Sequence, residues 1–137
     1  MKMKYAIYAA IAVIAFLGFR YLGTEEQNAP TEGAAMISVT VPELVASEKL
    51  GERLFNGNCA ACHGKNAAGI EGTAPPLIHR IYEPGHHGDE AFQIAAKRGV
   101  RAHHWKFGNM PPVEGISRDD VAKIIKYVRA VQRANGI

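Results

Sequence analysis

Five consecutive residues, Cys59-Ala60-Ala61-Cys62-His63, combine two thiols and an imidazole at a spacing that suits one reaction. Two cysteines three apart can add across the two vinyl groups of a porphyrin, and a histidine directly after the second is carried under the iron as its proximal ligand. Other chemistries are open to the same residues. A disulfide between Cys59 and Cys62 would close a loop too short to constrain much of the unfolded chain. A redox dithiol of the thioredoxin kind belongs beside a strand–helix–strand pattern, which this sequence lacks. A structural zinc site needs a fourth ligand, and these are the only two cysteines in the chain. Covalent haem attachment is the reading the spacing favours.

The iron would need a second axial ligand. Of four methionines, Met1 and Met3 precede the apolar N-terminal run and Met36 lies before residue 42, so Met110 alone falls in the region around the motif. It stands between Asn109 and Pro111-Pro112, whose fixed φ stiffens the chain there. His103 and His104 lie just upstream and are alternative iron ligands when neutral. His79, His86 and His87 occupy a turn-rich stretch with Pro84 and Gly85 and read as solvated loop histidines, with a metal or proton role as the alternative. Trp105 and Phe107 read as pocket wall. Lys97, Arg98, Arg101 and Lys106 make a basic rim, either a docking surface or ordinary solvated surface.

The elements that must carry these residues are helical. Leu50, Leu54 and Phe55 recur at helical spacing behind Ser47, a candidate N-cap, and lead into the cysteine motif. Gly51 on this helix would let another helix approach closely. Residues 64–73 are rich in Gly, Asn and Ala and read as loop, followed by the stiff Ala74-Pro75-Pro76-Leu77. Residues 89–100 form a second helix ending at Gly99, and residues 100–113 an ordered apolar loop. Ser117 opens a last helix, with Asp120 in place of the usual Glu of a capping box. Its buried stripe is Val121, Ile124, Ile125, Val128 and Val131, and Asn135-Gly136 ends it. The fold expected is all-α, three or more helices wrapped around one haem.

The 137 residues suggest one domain with appendages. Residues 1–22 hold Lys2 and Lys4 and then a nearly all-apolar run to Arg20. They read as a signal-anchor that stays as a membrane helix, or as a cleaved signal peptide. The bulky Phe19-Arg20-Tyr21 lacks a small-x-small cleavage pattern and favours the anchor. Either way the positive-inside rule places the remainder of the chain outside the cytoplasm. Residues 23–41 read as a flexible linker, although Ile37, Val39 and Val41 alternate as a short strand would. Residues 42–137 are the domain, too small for a self-sufficient core without the apolar volume of a cofactor. A net charge of +3 is mild and argues against nucleic acid as a main partner.

These residues together resemble a family. Cys59-Ala60-Ala61-Cys62-His63-Gly64 after a helix with Gly51, Leu54 and Phe55, the Pro76-Leu77 pair, Asn109-Met110-Pro111, and a closing helix with Tyr127-Val128 are similar to the class I, monohaem c-type cytochromes. The resemblance covers residues 47–134. It implies an electron carrier rather than an enzyme, with one covalent haem c held by Cys59 and Cys62 and iron between His63 and Met110. It implies a proline carbonyl, from Pro75 or Pro76, on the other nitrogen of His63, and a crossing of the first and last helices where Gly51 and Phe55 meet Tyr127. With the N-terminal segment it implies a monomer tethered to a bacterial inner membrane, with the haem domain on the periplasmic side. Its partners would be redox donors and acceptors, among them a terminal oxidase. The alternative is a cytochrome subunit of a dehydrogenase or oxidase complex.

Overall fold

The computed structural model describes residues 33–137, so the expected membrane segment of residues 1–22 and the first part of the linker lie outside the described residues. Four α-helices are present among the described residues: α1 Ala46–Asn58, the single turn α2 Ala60–His63, α3 Asp89–Arg98 and α4 Arg118–Ala134. Two 3₁₀ turns, Lys65–Ala67 and Arg80–Tyr82, punctuate the long connections. None of these helices is long and apolar enough to cross a membrane.

The start of α1 differs from expectation. Its N-cap is Val45, two residues before Ser47. The Glu48 carboxylate accepts the Val45 N–H at 3.0 Å, the acid half of a capping box, and its charge sits favourably in the first turn. At α4 the Ser117 cap is present: its hydroxyl accepts the Asp120 N–H at 3.1 Å. Asp120 is too short to reach back to the backbone and instead accepts the Ser117 hydroxyl proton at 2.6 Å.

Helices α1 and α4 cross at Gly51. A methyl group there would collide with the Lys123 carbonyl oxygen and lie 3.0 Å from Tyr127 Cβ. Glycine therefore lets the two backbones touch. One turn on, Phe55 meets Tyr127 with ring centroids 5.6 Å apart. Both side chains are fully buried, with Val128 and Val131 beside them and Leu44, Leu77, Ile78 and Ile124 around them. The α4 stripe forms as its spacing predicts, and Ala96 of α3 packs on Val121 and Ile125.

The contacts of the domain begin before residue 42. No strand forms at residues 37–41; Ile37, Val39 and Val41 pack against the core instead. Thr40 exchanges two hydrogen bonds with the Asn135 side chain, 3.0 Å through its N–H and 2.7 Å through its carbonyl. Residues 33–41 are thus bound to the domain, because the alternating apolar side chains find the end of α4 rather than a neighbouring strand.

A buried arginine ties the stretch 77–89 to α4. Arg129 donates to Tyr82 O at 2.6 Å, His87 O at 2.7 Å and Gln132 Oε1 at 2.6 Å, and pairs with Asp89 at 2.9 Å. Its guanidinium also lies 5.0 Å from the Phe92 ring centroid. Gln132 continues the network to Leu77 O at 2.8 Å. A connection without regular structure has many unpaired carbonyls, and these two side chains satisfy them.

Candidate functional site

The cysteine motif occupies the junction of α1 and α2. Cys59 closes α1, its N–H donating to Phe55 O at 2.8 Å, and its own carbonyl accepts from Cys62 at 3.2 Å and His63 at 2.9 Å. One helical turn therefore sets Cys59, Cys62 and His63 at spacings of three and four residues, which share a helix face. Both cysteines are free thiols. Burial, and secondly the neighbouring Cys62, pushes the Cys59 thiol up to about 11.

His63 is fixed from the far side of the site. Its Nδ1 donates to Pro75 O at 2.9 Å, which fixes the tautomer and leaves the Nε2 lone pair as a donor to a metal. Burial holds the imidazole below the usual histidine range, with the Pro75 contact opposing, so the ring stays neutral. Of the two prolines considered, Pro75 makes this contact, while Pro76 is wholly buried beneath it. The turn depends on Gly69 at φ 74, where a Cβ would press on the Pro76 ring at 2.8 Å.

Met110 is held by backbone. It exchanges two hydrogen bonds with Val100, both 2.9 Å, and Val113 N–H reaches Ala96 O at 2.8 Å. Gly99, at φ 73, permits this: a Cβ there would strike Met110 O and lie 3.1 Å from the Pro111 carbonyl carbon. Asn109 Oδ1 accepts the Ala102 N–H at 2.9 Å and closes the loop. His103 and His104 are both exposed, and His103 Nδ1 donates to Arg101 O at 2.8 Å. Lys97, Arg98, Arg101 and Lys106 are all exposed.

Among the described residues, two buried polar side-chain atoms have no partner, Trp105 Nε1 and the Tyr127 hydroxyl. The Tyr127 phenol is pushed up to about 12, by burial and secondly by the charge of Glu52. Trp105 stacks on Phe107 at 5.8 Å; burial raises the Tyr82 phenol, and the nearby Trp105 indole N–H opposes the rise. The donor set fits haem: two free thiols on one turn, a neutral imidazole with an open lone pair, a thioether, and a buried indole N–H with nothing to bond. A cleft of about 440 Å³ elsewhere, lined by Glu48, Asp89, Glu90, Arg118, Lys126 and Arg129 among others, contains none of these residues and is too charged for a porphyrin.

Sequence reasoning missed His79. It is half-buried rather than a solvated loop residue; its Nδ1 accepts the Ile81 N–H at 3.2 Å and caps the turn Arg80–Tyr82. Its ring lies edge-on to Trp105 at 5.3 Å. The pattern His79-x-Ile81 before a short turn was the available signal, since a ring nitrogen can cap two residues on.

A family model described as cytochrome c matches residues 48–132. Among curated proteins, the chain is 33% identical over 87 residues to a protein named cbb3-type cytochrome c oxidase subunit CcoP, from Rubrivivax gelatinosus. The match covers 62% of this chain and 26% of that relative, so the chain spans about a quarter of its length. No solved structure matches.

Proposed function

Because the chain belongs to the cytochrome c family, and so is an electron-transfer protein with a covalent haem c, we propose that it carries single electrons through a His63/Met110-ligated iron. In this reading Cys59 and Cys62 hold the porphyrin through thioethers. The haem supplies the one-electron couple. The observation that carries the assignment is the His63 Nδ1–Pro75 O hydrogen bond, 2.9 Å long, which aims one imidazole lone pair away from the protein backbone and strengthens it as a donor.

The residues then account for carrier behaviour. With His63 and Met110 both holding the iron, no open position would remain for a substrate. Thioether sulfur and an apolar surround both favour the reduced state and raise the potential. The backbone pinning of Met110 to Val100 would hold this ligand in place in both oxidation states. The exposed cations Lys97, Arg98, Arg101 and Lys106 support docking to an acidic partner surface, with rates that fall as salt rises.

Likeness to a cbb3-type oxidase subunit supports a terminal oxidase as the electron acceptor, with this chain either a shuttle or a subunit of the complex. The apolar run of residues 1–22 supports a tether to the bacterial inner membrane, the haem domain on the periplasmic side.

The test combines chemistry and spectroscopy on the isolated protein. Haem should survive acid–acetone extraction, and the oxidised protein should show the weak near-infrared sulfur–iron band. Met110→Ala should abolish that band and lower the potential. A bis-histidine spectrum in the unmutated protein would reject Met110 and point to His103 or His104. Copurification with an oxidase separates subunit from shuttle.

A further inference from the structure

Four histidines outside the motif come together on the surface. His86 and His87 lie in the connection before α3, and His103 and His104 in the Met110 loop. We propose that His86, His87 and His104 form a second metal site that takes one divalent transition ion of the zinc and copper(II) class. The site is separate from Cys59, Cys62, His63 and Met110, and it rests on Met110 rather than His104 being the sixth iron ligand.

Geometry carries the proposal. One ring nitrogen from each of the three residues lies within 4.8 Å of the others. An ion bound tetrahedrally by imidazoles at about 2.0–2.1 Å sets neighbouring ligand atoms roughly 3.3 Å apart. His86 Nε2 and His104 Nε2 are 3.3 Å apart. That spacing matches a shared ion, and without one the same rings share an N–H···N hydrogen bond.

The rings are also oriented as ligands need to be. His87 Nδ1 donates to Ile81 O, which leaves its Nε2 lone pair for an ion, the same carbonyl–imidazole arrangement that orients His63. The backbone beneath is fixed: Glu83 O accepts the N–H groups of His86 at 3.0 Å and His87 at 2.8 Å, and buried Arg129 holds His87 O at 2.7 Å. His103 packs its ring 4.3 Å from that of His104 and supports it from outside the ligand set. Burial, then the charges of His103, His87 and His86, hold His104 below the usual histidine range.

The chemistry of the set selects the ion. Three neutral imidazoles suit zinc, copper(II) or nickel, whereas calcium and magnesium require oxygen ligands. His86 and His104 are exposed, so water can complete the coordination. A bound ion would link the connection at residues 83–88 to the loop at residues 101–104, which continues into Met110.

The test is calorimetric titration of zinc into chelator-treated haem-loaded protein, with magnesium as the comparison. One zinc per chain is expected, with no magnesium binding. His86→Ala and His104→Ala should each weaken zinc affinity roughly 10–100-fold or more, at least the cost of losing an outer-sphere partner. Both positions are exposed, and an unchanged haem spectrum checks that each variant is folded. Zinc should also slow amide hydrogen exchange at residues 83–88 and 101–104. Binding of several ions at unrelated weak sites, no binding, or wild-type affinity in either variant would overturn the proposal.

Discussion

His63 and Met110 are held by different kinds of structure. His63 ends a helical turn continuous with α1, and α1 touches α4 backbone to backbone at Gly51. Phe55 and Tyr127 are fully buried at that crossing. Met110 sits in a stretch with no helix between Arg98 and Arg118, largely exposed, attached through Val100, Ala96 and Asn109. The first region is stabilised by apolar burial and the second by a few backbone hydrogen bonds, and local opening follows such differences. Damage to the crossing should therefore cost global stability, whereas damage to the loop should cost the sixth ligand.

The largest effect is expected at the crossing. Gly51→Val places branched carbon against the Lys123 carbonyl, a backbone atom that cannot rotate aside. A loss of about 3 kcal/mol or more is expected from overpacking against rigid structure. Urea unfolding should show a lower midpoint, while the folded fraction retains the sulfur–iron band. If stability changes by less than about 1 kcal/mol, the helices do not approach as closely as the structure has them.

The same contrast explains what could be read from the sequence. The crossing was legible because helical period, Gly51 and the α4 stripe are local signals that agree with one another. Pro75 was reachable only through resemblance and Met110 by elimination among four methionines, while the hydrogen bonds that place them join residues 63 to 75 and 100 to 110 across loops with no period. The Arg129 network was not legible: a lone arginine in a stripe of Val and Ile reads as a solvated position until its four partners are seen. The histidine cluster likewise unites positions 86, 87 and 104, which nothing local connects. The Ser47 cap failed because the helix starts two residues earlier, with N-cap Val45 whose N–H is taken by Glu48.

A smaller effect, of the opposite kind, is expected at Gly99→Ala. The φ of 73° is costly for any residue with a Cβ, and that Cβ would strike Met110 O. Strain of about 1–3 kcal/mol is expected, and the loop can relieve part of it by letting the Val100–Met110 pair open. The readout that separates the regions is the sulfur–iron band, which should weaken in Gly99→Ala at temperatures where Gly51→Val, still folded, retains it. A full-strength band in Gly99→Ala with all the loss in global stability would erase the distinction.

The smallest effect lies where the two regions meet, at the Ser117 cap that ends the loop and starts α4. Ser117→Ala removes the acceptor for the Asp120 N–H and should cost about 1 kcal/mol. The pH dependence comes from Asp120. The Ser117 hydroxyl first, and Lys123 second, hold its carboxyl below the usual range. A carboxylate lowered in the folded state contributes stability that is present above its unfolded pKa and lost as pH falls through the folded one. Removing the hydroxyl removes the larger cause, so the deficit of Ser117→Ala relative to wild type should be full at neutral pH and narrow in acid below about pH 4. Urea midpoints measured across that range should converge on acidification. A deficit that stays constant would mean the hydroxyl serves the Asp120 N–H alone, and that the 2.6 Å contact to its carboxylate adds nothing.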